Sequence, residues 1–356
     1  MTRRILGGAI LASAILGGLA AAPAMAQTPL RVGWCAKTVS SAAAPFAIAN
    51  KMGWFGSFKV QVVPMPGSGD CVKAVATKEV PFALPSIEPL AVIVQQGVKA
   101  KIYYTAYQGN VYGLAVPADS PIKTAADLKG KKIGVIGMAS ASAIIARAVA
   151  AANGLDPQKD INIVVAGESA QTAALVRSKQ VDALSQFDTQ YALVENAGVP
   201  LRRLPAKEID KFPSNGFLGL DETLSSRRAD AAALARGYAK GTIFAVANPE
   251  AAIRILWEQF PQTKATSKSE DEALKEDMKT LNARAENWAL EKGGVKRWGE
   301  SNLENYDDYL DFLLKWGTIQ QKPKIEDVVT NALIDEINDF DPAKVAADAK
   351  AYKYAK

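Results

Sequence analysis

The stretch "IKTAADLKGKKIGVIGMASAS", residues 122–142, decides the class of fold. It begins as a lysine-rich, solvent-facing helix, turns at Gly130 into a short apolar run at 132–136, and ends in a cluster of glycine and serine. The apolar run is typical of a buried strand, and Ser140 or Ser142 can cap a helix that follows. A strand that leads through a bare, hydroxyl-rich loop into a helix is the repeating unit of an α/β protein.

The same alternation of short apolar runs with helical patterns continues to about residue 205. It predicts an α/β protein with mostly parallel strands. One helix is predicted at 88–96, because Pro89 suits a first helical turn and Gly97 suits a helix end. From about residue 225 helix follows helix and the strand pattern fades. The predicted strands are 30–33, 59–63, 82–84, 102–106, 112–116, 132–136, 161–165, 181–185 and 201–204.

The first residues form a leader that differs from the rest of the chain. Arg3 and Arg4 precede an apolar segment at 5–19, and the leader ends in the small-residue pattern Ala-Met-Ala at 24–26. This order is typical of a secretory signal peptide, and it predicts a mature chain that starts at Gln27 in the periplasm or outside the cell. A membrane anchor, the alternative, needs about 20 continuous apolar residues, and this run is shorter.

The composition excludes several classes of function. The chain of 356 residues is 49% hydrophobic and 22% charged, which allows a globular core and two domains. Its formal charge of +5 is balanced against 37 acidic residues, which argues against a nucleic-acid partner. No histidine is present, so a Ser-His-Asp triad, a Cys-His pair and a histidine-ligated zinc are all excluded. Carboxylate- or lysine-based enzymes remain open, and neither a cofactor nor a metal site is predicted.

Cys35 and Cys71 are the only cysteines of the chain. In an oxidising compartment, an isolated pair of cysteines favours a disulfide. The alternative is that they are two unrelated small residues of the core, because the sequence does not give the distance between them.

Three segments carry a resemblance to a known family. They read "VPADSPIKTAADLKGKKIGVIG" at 116–137, "SASAIIARAVAAANGLDPQKDINIV" at 140–164 and "AALVRSKQVDAL" at 173–184. In this order they resemble the periplasmic substrate-binding proteins of nitrate, taurine, aliphatic sulfonate and thiamine-precursor importers, the SsuA/THI5-like family. The resemblance covers about residues 30–205. One departure is "SQFDTQYAL" at 185–193, where relatives often carry a proline, so the cleft wall there is expected to differ.

The resemblance implies a type II periplasmic binding-protein fold, with two lobes, a ligand cleft between them and a helical C-terminal region. It implies docking onto the permease of an ABC importer with its ATPase. The hinge would lie at Tyr112–Pro117 and Gly216–Leu220. In this fold the first two strands are expected to be neighbours, which would bring Cys35 and Cys71 together. The implied division of the chain is a signal peptide at 1–26, lobe 1 at 28–115, lobe 2 at 117–212 and a return to lobe 1 at 216–356.

Small and hydroxyl-bearing residues recur just after the predicted strands. Ligands of open α/β sheets bind beyond the carboxyl ends of the strands, where helix N-termini offer unpaired N–H groups. Each serine alone is explained equally well as a helix cap, but the recurrence favours a ligand cleft. The predicted ligand-binding residues of this kind are Ser40, Ser41, Ser68, Ser86, Gly137, Ser140 and Ser142.

The charged residues near these loops predict the class of ligand. These loops carry Lys37 and several acidic residues but no arginine, so a strongly anionic ligand is not expected. Glu88 and Asp188 are predicted to contact a ligand, for example an amine, and Trp34 is predicted to stack on a flat one. Asp70 and Glu168 are interpreted as solvated caps, and Tyr107, Phe187 and Tyr191 as weaker aromatic candidates.

These observations predict an exported, monomeric solute-binding protein that is not an enzyme. It would capture a zwitterionic, heterocyclic or weakly anionic small molecule by lobe closure and deliver it to an ABC importer. The alternatives are a ligand receptor for a membrane sensor and a histidine-free exported enzyme on the same fold. Neighbouring genes for a permease and an ATPase would separate an importer protein from a sensor receptor, and a turnover assay would identify an enzyme.

Overall fold

The computed structural model describes residues 28–354. The predicted signal peptide at 1–26 lies outside them. Their strands form two sheets and are β1 (Thr28–Trp34), β2 (Phe58–Pro64), β3 (Phe82–Ala83), β4 (Ala100–Thr105), β5 (Tyr112–Pro117), β6 (Lys132–Val135), β7 (Asn162–Val165), β8 (Ala183–Phe187), β9 (Leu201–Arg203) and β10 (Gly216–Leu220).

The helices of the same residues fill the segments between the strands and nearly all of the chain after β10. They are α1 (Ala44–Lys51), α2 (Ser68–Ala76), α3 (Ile87–Val94), α4 (Ala141–Ala152), α5 (Ser169–Arg177), α6 (Asp188–Asn196), α7 (Asp221–Ser226), α8 (Arg228–Ala247), α9 (Pro249–Gln259), α10 (Glu270–Ala285), α11 (Leu290–Gly293), α12 (Leu303–Lys315), α13 (Ile325–Val328), α14 (Ile334–Ile337) and α15 (Pro342–Ala351). No helix between residues 28 and 354 is both long and apolar enough to cross a membrane.

The two sheets have the same design. The first has the order β2-β1-β3-β10-β4 and the second the order β7-β6-β8-β5-β9. In the first sheet β1 runs parallel to β2 and β3, and β10 runs antiparallel to β3 and β4. In the second, β6 runs parallel to β7 and β8, and β5 runs antiparallel to β8 and β9. We call the first sheet with the helices packed on it lobe 1, and the second sheet with its helices lobe 2. The predicted two-lobed α/β fold with a helical C-terminal region is confirmed.

Two expectations about the strands were wrong. Half of the strand pairings are antiparallel. β10 runs antiparallel to both of its neighbours in the first sheet, and β5 runs antiparallel to both of its neighbours in the second. The predicted hinge segments Tyr112–Pro117 and Gly216–Leu220 are β5 and β10, and each is an inner strand of its sheet. The chain crosses between the sheets at 106–111 and 204–215 instead. Apolar periodicity identifies a strand, but it does not say which sheet the strand joins.

The opening stretch folds nearly as predicted. The expected first helix is a short 3-10 helix at Ala125–Leu128, with a capping box between Thr124 and Asp127. Gly130 then has φ +74°, a left-handed conformation that glycine adopts at little cost, and it turns the chain into β6. The strand, the loop and helix α4 follow in the predicted order.

An aromatic core holds the helical C-terminal region on lobe 1. Tyr238 of α8 lies between Phe46 of α1, 4.9 Å away by ring centroids, and Phe217 of β10, 5.2 Å away. Tyr104 of β4 adds a further ring 5.5 Å from Phe217. Burying each such side chain contributes about 1.5–3 kcal/mol to stability. The chain therefore returns to lobe 1 after it completes lobe 2.

Candidate functional site

The candidate site is a cleft between the lobes at the ends of the strands. Trp34 ends β1, Tyr112 begins β5 and Phe187 ends β8, so both sheets direct an aromatic residue into the cleft. Strand ends are where ligands of α/β sheets bind. The cleft is lined by Trp34, Cys35, Ala36, Leu84, Tyr107, Val111, Tyr112, Phe187, Asn215 and Arg284.

The aromatic walls are fixed by contacts with their neighbours. Tyr112 and Phe187 meet edge to face, with ring centroids 6.1 Å apart, across the ladder of β5 and β8. The indole Nε1 of Trp34 donates to the carbonyl of Thr38 at 2.9 Å. Tyr112 donates its hydroxyl to the amide of Asn215 at 3.1 Å. These contacts line the cleft with flat apolar surfaces and one amide. The space between them is about 20 Å³, the room of a single water, so the lobes must open to admit an organic ligand.

Arg284 is the cationic residue of the cleft, and the sequence reasoning missed it. It lies near the end of α10, its side chain is 4% exposed, and Asp188 at the start of α6 accepts from its Nε at 2.8 Å and its Nη2 at 2.6 Å. Asn287 also donates to Asp188, at 3.0 Å. Asp188 does not line the cleft itself, so the charge of Asp188 acts on a ligand through its effect on Arg284.

Burial and charge act together on the tyrosine beside this pair. Burial raises the pKa of Tyr107, while the guanidinium of Arg284, 3.9 Å from the ring centroid, lowers it. Burial also raises the pKa of Tyr112. Both phenols are therefore neutral hydrogen-bonding groups at physiological pH.

The predicted serines of lobe 2 lie at the start of α4 and bond to one another. Ser140 and Ser142 share a hydrogen bond of 2.7 Å, and Ser142 accepts from the N–H of Ile136 at 3.4 Å. Ser140 holds the N-cap position, but its hydroxyl donates to the carbonyl of Gly137 and does not cap the helix. Both serines are at most 3% exposed. A ligand could bond to these two hydroxyls only by replacing or extending their hydrogen bonds to the protein. The role of both serines as ligand contacts stays a prediction.

The predicted serines of lobe 1 are also engaged with protein groups. Ser68 accepts from both the N–H and the hydroxyl of Ser86, at 3.2 and 3.1 Å. Ser41 donates to Asp277 of α10 at 2.8 Å, and Ser40 starts the short helix ahead of α1. None of these serines lines the cleft. Their contact with a ligand remains untested.

Glu88 lies beneath the cleft in lobe 1 and is fully buried. Its Oε1 accepts a hydrogen bond from Tyr309 of α12, while its Oε2 has no hydrogen-bond partner among residues 28–354. Burial raises the pKa of Glu88 because the charged form is poorly solvated there. The residue is not among those that line the cleft, so its predicted ligand contact is not tested here.

Cys35 and Cys71 form a disulfide, as predicted. Cys35 follows Trp34 in the loop after β1, and Cys71 lies in α2. The bond fixes the loop of the cleft wall to the first turns of the helix beside it.

Several contacts join the lobes across the mouth of the cleft. The carboxylate of Glu168 in lobe 2 accepts from the backbone N–H groups of Lys37 and Thr38 in lobe 1, at 2.9 and 2.8 Å. The N–H of Gly69 donates to the carbonyl of Ala139 at 3.2 Å. The structure is therefore a closed form of the two lobes. The interpretation of Glu168 as a solvated cap was wrong, because the partners of its carboxylate lie about 130 residues away in the chain.

The match to a protein family fits this architecture. A family model described as NMT1/THI5 like matches residues 40–252, more than half of the chain. The chain belongs to the NMT1/THI5-like family. This confirms the resemblance found in its sequence motifs.

Solved structures of low sequence identity share the fold. One is the alkanesulfonate-binding protein SsuA from Xanthomonas axonopodis pv. citri bound to MOPS, with a TM-score of 0.63 at 16% identity over 85% of this chain and 99% of that one. Another is the periplasmic nitrate-binding protein NrtA from Synechocystis PCC 6803, with a TM-score of 0.62 at 16% identity over 92% and 99% of the two chains. The desulfurization enzyme DSZB also shares the fold, with a TM-score of 0.56 at 14% identity over 87% and 99%.

A curated relative is the riboflavin-binding protein RibY from Chloroflexus aurantiacus. It is 23% identical over 223 residues, which cover 62% of this chain and 63% of that protein. The matched region is thus less than two thirds of the relative's length.

Proposed function

We propose that this family member is an exported solute-binding protein of an ABC importer. It captures a small, flat organic molecule that is neutral, zwitterionic or weakly anionic, and it closes its lobes around that molecule. The observation that carries the proposal is the interlobe cleft, whose aromatic residues come from the strand ends of both sheets. Membership of the NMT1/THI5-like family and likeness in fold to SsuA and NrtA support delivery to a permease and its ATPase.

The charges of the cleft support this class of ligand. Arg284 faces the cleft, but Asp188 already neutralises it through two hydrogen bonds. The cleft thus lacks the unpaired guanidinium that a strongly anionic ligand prefers. The relative named for riboflavin binding makes flavins and other flat heterocycles the first compounds to screen.

A thermal-shift screen of the mature protein tests the function. A ligand that binds only the folded state raises the melting temperature, by an amount that grows with its concentration. The screen covers flavins, pyrimidines, aromatic acids, amino acids, nitrate and sulfonates. Uptake of the identified ligand is then compared between parent cells and cells that lack the gene. Binding without an effect on uptake would favour a sensor receptor, and conversion of the ligand to a product would identify an enzyme.

Export and oligomeric state belong to the same proposal. Intact mass of the protein from the periplasmic fraction should correspond to a chain that starts at Gln27, and light scattering should give the mass of a monomer. A chain that retained residues 1–26 would contradict the proposed export.

A further inference from the structure

The bend at 35–38, which follows β1, connects the wall of the cleft to the contact between the lobes. Two kinds of contact hold its first half. The disulfide ties Cys35 to helix α2. The N–H of Met65 donates to the carbonyls of Trp34 at 2.8 Å and Ala36 at 3.2 Å. The second half of the bend is neither helix nor strand, so its shape depends on other contacts.

The side chain of Trp34 holds that second half. Its indole Nε1 donates to the carbonyl of Thr38 at 2.9 Å, four residues further along the chain. This bond restricts the backbone at the place where the N–H groups of Lys37 and Thr38 donate to Glu168 of lobe 2, at 2.9 and 2.8 Å. Both N–H groups must point the same way to share one carboxylate. A single side chain thus lines the cleft and shapes the lobe 1 half of an interlobe contact.

The lobe 2 half of this contact is also held in place. Gln190 of α6 donates from Nε2 to Oε2 of Glu168 at 3.3 Å, and its Oε1 accepts from the N–H of Ser169 at 3.0 Å. Ser169 has φ +53°, a left-handed conformation that residues other than glycine seldom adopt. Such a conformation persists only where surrounding contacts hold it. The carboxylate is therefore presented to lobe 1 in a defined position.

We infer that Trp34 is the positioning residue of a closure latch, which is the contact of Glu168 with the N–H groups of Lys37 and Thr38. The inference rests on the proposed function, because it describes how the cleft of a binding protein controls its own closure. A ligand that contacts the ring of Trp34 acts on the bond to Thr38 and so on the latch. Ligands that leave this bond intact allow the lobes to close, and ligands that turn the ring away hold them open.

The position of the closure latch suits it to this control. Glu168 and Thr38 are half-buried and Lys37 is exposed, so water can replace the two N–H groups when the lobes separate. Exchange of protein hydrogen bonds for water leaves only a small net free energy. A change in one hydrogen bond therefore alters the ratio of closed to open protein by a measurable factor.

The test measures the ratio of closed to open protein in the absence of ligand. Nitroxide labels are attached at Lys59→Cys in β2 and Ala174→Cys in α5, which are exposed positions in the two lobes. The two native cysteines are bonded to each other and take no label. Double electron–electron resonance then gives the distances between the labels and the populations of the two forms.

The variants separate the bond to Thr38 from the packing of the ring. Trp34→Phe keeps an aromatic ring but lacks the indole N–H, and it should lower the ratio about 2- to 10-fold, the effect of one lost hydrogen bond. In a Glu168→Ala background, which lacks the closure latch, the same replacement should change the ratio less than about 2-fold. Trp34→Leu should reproduce both results. Trp257→Phe, which loses an indole hydrogen bond to Asp277, is the matched control and should leave the ratio unchanged.

Three results would overturn the inference. They are an unchanged ratio in Trp34→Phe and Trp34→Leu, the same fold-change with and without Glu168, and a parent that has no closed population. A role of Trp34 in packing alone would lower the melting temperature without this dependence on Glu168. Since no ligand is present, the result is independent of the thermal-shift screen and of the uptake measurement. If the closure latch behaves as expected but no compound binds and uptake does not depend on the gene, the inference stands and the proposed function fails.

Discussion

At the scale of single residues, three carboxylates of this protein have three different structural roles. Glu168 closes the lobes through backbone N–H groups, Asp188 orients Arg284, and Glu88 lies buried under the cleft. The same residue type serves three purposes because burial and partners differ at each place. Each role leads to a different measurable effect.

Replacing Glu168 should loosen the closed form. In Glu168→Gln one carboxylate oxygen becomes an NH2 group that faces an N–H group of Lys37 or Thr38, which should cost the closed form about 1–2 kcal/mol. Small-angle scattering of the ligand-free variant should give a larger radius of gyration than the parent. Glu195→Gln is the control, because Glu195 pairs with Lys279 at a more exposed interlobe contact that contributes little. Equal radii for both variants would contradict the role of Glu168.

Replacing Glu88 should change how stability depends on pH. Burial raises the pKa of Glu88 above its ordinary 4.5, so the folded state holds this proton more tightly than the unfolded chain does. Stability from this group is then present near pH 4, is lost as pH rises, and levels off above the folded pKa. Glu88→Gln should therefore be more stable than the parent at pH 8, by about 1.4 kcal/mol per unit of pKa shift, and similar near pH 4.

Urea unfolding at pH 4, 6 and 8 measures this difference in the free energy of unfolding. Glu326→Gln, at an exposed glutamate of α13, is the matched control and should show no such trend. A Glu88→Gln variant that is less stable than the parent at pH 8 would show that the charged form is compensated inside the protein.

At the scale of elements, the disulfide between the loop after β1 and helix α2 is a covalent brace of the cleft wall. Cys35 and Cys71 are 36 residues apart, and closing a loop of that length stabilises a protein by about 3–4 kcal/mol through the unfolded chain. Cys35→Ala/Cys71→Ala should lose about this much in urea unfolding. The parent in reducing agent should lose a similar amount, and the double variant should not respond to that agent. Unchanged stability in both would contradict the brace.

The elements that could be predicted from the sequence are those with a local signal. Strands β1, β2 and β6 and helix α4 were found because their apolar periods and end residues lie within about 20 residues of chain. Strand β10 was missed as a strand, since "GFLGL" is short, rich in glycine and without alternation. Its place between β3 and β4 depends on pairing with chain more than 100 residues away.

The candidate site was predicted less completely for the same reason. Trp34 and Phe187 could be singled out because the ends of their strands could be located in the sequence. Both line the cleft. Arg284 could not be found, since it lies in the helical region without distinctive motifs and reaches the cleft only through packing of α10 on α6. The partners of Glu168 and Asp188 are equally distant in the chain. Long-range pairing was thus the missing information.

At the scale of the whole molecule, closure depends on how closely two backbone segments approach. Helix α2 of lobe 1 faces the loop before α4 of lobe 2, where Gly69 donates its N–H to Ala139. A Cβ atom on Gly69 would lie 2.4 Å from that carbonyl oxygen, which is far inside van der Waals contact. A Cβ atom on Gly137, in the same loop of lobe 2, would lie 3.7 Å from the carbonyl oxygen of Pro66. The two glycines therefore form a matched pair at one interface.

Gly69→Ala should hold the lobes apart without weakening lobe 1. Alanine is favoured over glycine inside a helix by about 1 kcal/mol, so the apo melting temperature should not fall. The overlap with Ala139 should cost the closed form about 1–3 kcal/mol, which weakens ligand binding about 5- to 150-fold and enlarges the radius of gyration of the ligand-bound protein. Gly137→Ala should leave the radius of gyration of the ligand-bound protein unchanged, and a change in its affinity would report on the predicted ligand contact of Gly137 and not on closure. Calorimetric titration and small-angle scattering with a ligand from the thermal-shift screen measure both. If the two variants behave alike, the lobes do not approach in solution as closely as they do here, and ligand capture depends on a wider cleft.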